Sequence, residues 1–266
     1  MAISPLYQAA DLKLAYQLRY SWTGWTREPT RVDSALLEKL KPLWEQDGLR
    51  LLEHRSSAEY VQLAFSTTPD ISPVLLASRA KGRLQHALRA EGDFAGFSRM
   101  VSVRSVGENT RRQVEQYIAS QVAHGQYVDA RFREELAGFT VRCPEVDLSR
   151  PSESSHGRYW YNLHLVLVAA ERCRTADGRR LAKIRDGCFR IAEKRNHAIS
   201  ALSVMPDHVH LAMRGDFRAS PVEIGLGFLN NLAYLLGQAR NWTNGFYAGT
   251  FSEYDMGAIR TGADEE

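Results

Sequence analysis

Cysteine is nearly absent from this chain: three residues occur, Cys143, Cys173 and Cys188, with no Cys-x-x-Cys spacing. That excludes a disulfide framework and a cysteine-based zinc site, and it fits a reducing cytoplasm. No apolar run approaches the ~20 residues that a membrane-spanning helix needs, so no membrane partner is expected. Residues Met1 to Gln8 lack the charged-then-apolar layout of a secretory leader, and no cleaved leader is expected. An excess of one charge is missing too, since 34 Lys plus Arg oppose 31 Asp plus Glu for a net charge of +3. Such a mildly basic chain permits a polyanionic partner without requiring one. What remains is a globular composition over 266 residues, 44% hydrophobic and 24% charged, which excludes long disorder, collagen and coiled coil. The length holds one large domain or two small ones.

An internal repeat decides between these. Glu59-Tyr-Val-Gln-Leu-Ala64 followed by Ser72-Pro-Val74 returns as Asp207-His-Val-His-Leu-Ala212 followed by Ser220-Pro-Val222, both at an offset of 148. The same offset sets Leu36, Leu40, Leu43 and Trp44 against Ile184, Cys188, Ile191 and Ala192. Tyr16-Gln-Leu18 matches Tyr161-Asn-Leu163 at 145, and Gly96-Phe97 matches Gly245-Phe246 at 149. Several matches in register are better explained by duplication of a unit of roughly 110 residues, a normal domain size, than by chance.

Each copy predicts a strand (16–22; 161–168), an amphipathic helix, a second strand (49–53; 199–204) and a third strand carrying the repeated hexapeptide. Ser72-Pro73 and Ser220-Pro221 read as an N-cap with proline at the first helical position. A fourth strand (100–106; 246–251) closes the unit. This is the ferredoxin-like order, so the fold class expected is α+β, two units with antiparallel sheets and helices on one face. The first unit spans 1–126 and continues into a helix at Asn109–Gln121. A connector follows at 127–157, with another helix within 126–139 and a Ser- and Pro-rich linker at 144–157. The second unit spans 158–266 and has only a short tail, ending Asp264-Glu-Glu266, where the first has its extra helix.

Chemistry concentrates in Pro206-Asp-His-Val-His-Leu211. Strand residues two apart share a face, so His208 and His210 project together while Val209 and Leu211 face away. Paired imidazoles can hold a divalent cation and leave positions open for a substrate oxygen; the bland alternative is two ordinary sheet histidines. The first unit has Tyr60 and Gln62 at these positions, so only one copy carries the pair. Tyr117 and Gln121, four apart on a predicted helix, share a face. On exposure grounds Tyr117 alone reads as a half-buried aromatic, yet a phenol can act as a covalent nucleophile when its proton is removed. Basic residues line two helices, Arg79, Lys81, Arg83 and Arg89 in the first unit and Arg179, Arg180, Lys183 and Arg185 in the second. By themselves they read as solvated faces.

Taken together, Met205-Pro-Asp-His-Val-His-Leu211, Tyr161-Asn-Leu-His-Leu-Val-Leu167, Gly245-Phe-Tyr-Ala-Gly-Thr250, Ala80-Lys-Gly-Arg83 and Tyr117-Ile-Ala-Ser-Gln121 resemble the single-tyrosine HUH transposases of the insertion-sequence 200/605 group. The resemblance implies that His208, His210 and Gln121 bind a divalent metal, Mg2+ or Mn2+, and that Tyr117 attacks a phosphate of single-stranded DNA. A 5′-phosphotyrosine link and a free 3′-hydroxyl would result. It further implies that Arg79, Lys81, Arg83, Arg89, Arg179 and Arg180 contact DNA, with hairpin-bearing ends as partners. Family members pair the histidines of one subunit with the tyrosine helix of another, so this chain would be a fused pseudo-dimer, monomeric or further dimerised, with one composite site. Ordinary members have two His pairs and two tyrosines; here one set is visible. The alternatives are a domesticated, non-catalytic DNA-binding protein and a metal phosphoesterase that uses water. His164 matches a family histidine but reads first as a packed sheet residue.

Overall fold

The computed structural model describes residues 5–92, 94–125, 129–237 and 240–252. After a short strand β1 (Ala15–Gln17), the first unit runs β2 (Arg19–Thr26), α1 (Ser34–Gln46), β3 (Leu49–Ser56), β4 (Tyr60–Thr67), α2 (Pro73–Glu91) and β5 (Phe97–Val106). Three helices follow, α3 (Arg111–Ala119), α4 (Gln121–His124) and α5 (Ala130–Ala137), then β6 (Thr140–Arg142), β7 (Ser152–Ser154) and β8 (Gly157–Trp160). The second unit is β9 (Asn162–Ala169), α6 (Gly178–Lys194), β10 (Ala198–Val204), β11 (His208–Arg214), α7 (Pro221–Leu235) and β12 (Trp242–Thr250). The fold is α+β, with two ferredoxin-like units. Their core strands lie in the same order, β3-β4-β2-β5 and β10-β11-β9-β12, antiparallel throughout.

Local sequence explains these elements. Ser72 and Ser220 cap α2 and α7 through their side chains, accepting from Leu75 N and Glu223 N, each with proline at the start of the helix. In the first unit Leu40 and Trp44 of α1 and Leu84 of α2 are buried in a core with Trp22, Leu63 and Phe65. In the second, Ile184, Cys188 and Phe228 join Leu165, Leu202 and Leu211, and the apolar cluster is continuous between the units.

The two sheets exchange strands. The single strands predicted at 16–22 and 161–168 are each preceded or interrupted by a change of partner. Leu18 separates β1 from β2, and Tyr161 separates β8 from β9. β1 pairs in parallel with β12 of the second unit, while β8 pairs in parallel with β5 of the first. Matching hydroxyls hold the two crossings. Arg19 N donates to Thr250 Oγ1 at 2.9 Å, and Asn162 N donates to Ser105 Oγ at 3.0 Å. Thr250 Oγ1 also donates to Val106 O at 2.7 Å. Gly107 passes so close that a Cβ there would overlap the Thr250 carbonyl. Two of the repeat matches shift accordingly. Ser21 stands opposite Ala64 and His164 opposite Ala212, so the first strands correspond at 143 rather than 145. Phe97 opposite Thr26 corresponds to Trp242 opposite Ala169, so Gly96-Phe97 and Gly245-Phe246 are not equivalents.

The helix expected at 109–121 is capped by Thr110, whose side chain accepts from Gln113 N while Gln113 reaches back to Thr110 N. It breaks at Ser120. Its apolar side, Val114 and Ile118, packs on Ala201, Ala212 and Phe251, on the sheet face opposite α6 and α7. The helix in the 126–139 stretch is α5, and residues 126–128 lie outside the described residues, as does the tail at 253–266. The stretch at 144–157 is not a free linker: Leu148 is fully buried against α3, Asp147 pairs with Arg111, and β7 adds to a sheet. Sheet membership therefore crosses the boundaries expected from sequence at β1 and at β8, the latter starting at Gly157.

Replacing Thr250 by valine keeps the shape and deletes the hydroxyl that serves Arg19 N and Val106 O. Leaving these half-buried groups unpaired costs up to about 1–3 kcal/mol, and urea denaturation of T250V is expected to show a loss in that range; an unchanged midpoint would show that the crossing does not depend on this hydroxyl.

Candidate active site

β11 carries His208 and His210 on the sheet face that α3 covers. Residues two apart share a face, and their rings lie 4.9 Å apart between centroids. His208 Nδ1 meets Asp207 Oδ1 at 2.6 Å, which leaves Nε2 free to act as a ligand. Asp207 in turn meets Arg172 Nη1 through Oδ2 at 3.3 Å. Burial alone would raise the Asp207 pKa, but the His208 contact and Arg172 outweigh it and hold the carboxyl below its ordinary range. Arg172 and its neighbour Glu171 both have φ near +54°, at 54° and 53°, a left-handed pair without glycine that costs about 1–2 kcal/mol per residue. That backbone aims Arg172 at Asp207.

His210 is buried, and its Nδ1 lies 3.1 Å from His164 Nε2 on the adjacent strand β9. Burial pushes the His210 pKa down to about 3, helped by the charges of His164 and His208, and pushes His164 down to about 4. Both imidazoles are therefore neutral at ordinary pH. Tyr117 comes from α3, the helix that follows the first unit's last core strand, and closes the group. Its ring stands edge-on to His210 at 5.4 Å and to His164 at 6.1 Å, and it is 48% exposed. Gln121, one helical turn on and buried, donates from Nε2 to the Tyr117 carbonyl at 3.1 Å, leaving Oε1 free. The structure thus brings Tyr117, His208 and His210 together, with Gln121 lining a cleft beside His208.

This donor set fits a divalent cation: two neutral imidazole nitrogens, each oriented by a bond to its Nδ1, and one amide oxygen. Among the described residues no group of three His, Cys, Asp or Glu side chains is placed to hold a metal.

Two clefts meet at the Pro206-Asp207-His208 turn. One, about 680 Å³, is lined by Gln121, His124, Phe132, Arg174 and His208. The other, about 480 Å³, is lined by Arg180, Ile184, Arg240, Asn241 and His208. Of the cations singled out in the sequence, Arg180 is at the site and bonds Asn241 Oδ1 at 2.8 Å, while Arg179 is exposed one residue earlier on α6. Those on α2 belong to the first unit. Arg79 bonds the Asp47 carbonyl, Lys81 donates to Ser98 O at 2.7 Å, and Arg83 pairs with Asp47 at 2.9 Å. Arg89 lies within reach of Gln85 on the same helix. At the aligned positions of the second unit Leu229 is core and Asn230 bonds the backbone of Tyr7. The sequence reading passed over Arg172, Arg174 and Arg240; their only signal is proximity in sequence to strand ends that the topology gathers at the histidines.

Residues 158–261 match the family model described as Transposase IS200 like. No curated protein matches. Among solved structures, a candidate transposase from Deinococcus radiodurans is 25% identical, covering 46% of this chain and 98% of its own, with a TM-score of 0.31. A candidate glycine cleavage system transcriptional repressor is 9% identical over 88% of this chain and 98% of its own, at a TM-score of 0.23. The matched residues include β9, β10, β11 and β12, the strands of the sheet that carries the histidine pair. Among the described residues no helix is long and apolar enough to cross a membrane.

Desolvation of His210 and His164 sets a pH dependence for the metal-free protein. Between their folded values, about 3 and 4, and the ordinary 6.5, the unfolded chain binds more protons than the folded one. Stability is therefore full above about pH 6.5 and is lost as pH falls below it. Urea midpoints are expected to be level from pH 7 to 8 and to drop from pH 6 to 5; a level midpoint down to pH 5 would contradict the buried neutral pair.

Proposed function

We propose that this chain is a metal-dependent single-stranded DNA endonuclease and strand transferase that works through a 5′-phosphotyrosine intermediate. The observation that carries this reading is the meeting of Tyr117, from the helix that ends the first unit, with His210 on the second unit's sheet, ring to ring at 5.4 Å. Units 1–126 and 158–266, joined by 127–157, then act as a pseudo-dimer with one composite site.

His208, His210 and Gln121 would hold Mg2+ or Mn2+, which when bound would supply positive charge to the non-bridging oxygens of the phosphate. Asp207 and His164 fix the ring orientations of the two histidines. The phenol oxygen of Tyr117 forms a bond to phosphorus as the bond from phosphorus to the 3′-oxygen breaks, and the phenol proton ends on that 3′-oxygen. No bond energy is lost to water, so the reverse step with another 3′-hydroxyl rejoins DNA. Arg179 and Arg180 lie at the N-terminus of α6 and contact the strand near the site. Arg79, Lys81, Arg83 and Arg89 offer their remaining donors to more distant phosphates of a hairpin-bearing end.

Wild type mixed with single-stranded hairpin oligonucleotides and Mn2+ is expected to give a protein–DNA adduct that survives denaturing electrophoresis, and Tyr117→Phe to abolish it, a loss of 10³-fold or more on the order of nucleophile removals in other enzymes. An adduct that persists in Y117F would reject this nucleophile. Cleavage without any adduct would point to water, and binding without cleavage to a DNA-binding protein.

A further inference from the structure

We propose that β3 is the contact strand of a homodimer, in which the open edge of the first unit's sheet pairs antiparallel with the same edge of a second copy. The two units differ at this edge. In the second unit β10 is covered by β6, a three-residue strand of the connector, which pairs antiparallel with Ala201, Leu202 and Ser203. In the first unit β3, the equivalent of β10, ends the sheet. Among the described residues no strand pairs with its outer side. An eight-residue strand open along one side is a template for strand addition.

Charged side chains and a β-bulge commonly protect such an edge, and β3 has both. The second unit shows that they do not close it. β10 carries the same bulge, between Ile199 and Ala201, where β3 has its own between Leu51 and Glu53. β6 pairs with the three residues that follow the bulge. Ala201 stands opposite Ala212 and Glu53 opposite Ala64, so the positions that β6 uses correspond to Glu53, His54 and Arg55. The bulged residue differs in the same sense. Ser200 is buried and its carbonyl accepts from Cys143 N at 2.9 Å, whereas Leu52 in its place is 43% exposed. Covering the β3 edge removes that apolar side chain from water, which favours pairing.

The charges along the edge select a second copy as the occupant. A two-fold contact needs a surface that complements itself. Glu53 and Arg55 are two apart on the strand and project on one face. Antiparallel pairing of two copies centred on His54 sets Glu53 of each opposite Arg55 of the other, giving two cross-strand pairs of opposite charge. β6 has the matching residue type in its own place: Arg142 stands opposite Ala201, the equivalent of Glu53. His54 lies on the α1 side, 3.4 Å from Ser34 Oγ, and takes no part in these pairs. The first units' six-stranded sheets then run on across the two-fold axis. Each copy keeps its own composite site, so the assembly holds two sites where one chain holds one.

Two measurements on the full chain test the contact, and neither involves DNA, so it stands or falls apart from the nuclease reading. Sedimentation equilibrium from about 1 to 100 μM spans a micromolar dissociation constant. The chain is 30.0 kDa, and the weight-average mass should rise toward twice that value with concentration. Glu53→Arg should raise the dissociation constant about tenfold, because two attractive cross-strand pairs become repulsive. The double exchange Glu53→Arg/Arg55→Glu restores opposite charges and should recover wild-type association. Second, His54→Cys in a Cys173→Ser background, which removes the exposed native thiol, should give a disulfide-linked dimer under mild oxidation. A residue on the two-fold axis faces its own copy at about 4.5–5.5 Å between Cα atoms, within the span of a disulfide. A wild type that keeps its monomer mass throughout overturns the proposal. So does a dimer that ignores Glu53→Arg, that the double exchange fails to restore, or that His54→Cys does not cross-link, since such a dimer uses another surface.

Discussion

Everything else in this molecule depends on the strand crossing at Leu18 and Tyr161. A three-residue strand from before the first unit pairs with the last strand of the second, and a four-residue strand from before the second pairs with the last strand of the first. Two buried hydroxyls, on Thr250 and Ser105, receive the backbone donors at the points of exchange. The result fixes where β5 ends relative to the second sheet. Since α3 begins a few residues after β5, the crossing also fixes where the tyrosine helix lands. Chain connectivity and sheet pairing determine the site before any active-site side chain is considered.

Polarity around the histidines is graded rather than uniform. His210 is buried and His164 half-buried, and desolvation keeps both neutral, whereas His208 lies at the open end of the strand, tied to a carboxylate that is itself held by an arginine. A histidine pair so arranged has one member set by burial and the other by an ion-paired orienting group. The left-handed backbone at Glu171 and Arg172 is unfavourable on its own and persists because it delivers that arginine.

Much of this was legible in the sequence. The period-two pattern of Asp207–Ala212, the Ser-Pro helix starts and the constant offset between copies reflect local rules, and local rules give the two ferredoxin-like units and the shared face of His208 and His210. The shared face of Tyr117 and Gln121 follows in the same way from helical spacing, whereas their roles rest on the family resemblance alone. What the sequence hid was non-local. A change of partner at Leu18 leaves no trace in alternation, because both halves remain extended. Leu148 looked like linker because Ser and Pro surround it, yet it is buried under α3. His164 resembled any packed strand histidine until the β9–β11 register set it beside His210. Arg240 is far in sequence from Arg180, and only the start of β12 brings them to one cleft.

The short reach from β5 to α3 has one more consequence. Gly107, Glu108 and Asn109 are all that separate the end of the first unit's sheet from the cap of the tyrosine helix. A helix tethered that tightly meets its histidines at an effective concentration set by the tether and not by how much protein is present. Two separate subunits exchanging such helices would come apart on dilution; here Tyr117 and His210 stay neighbours in a single molecule, however scarce the protein is.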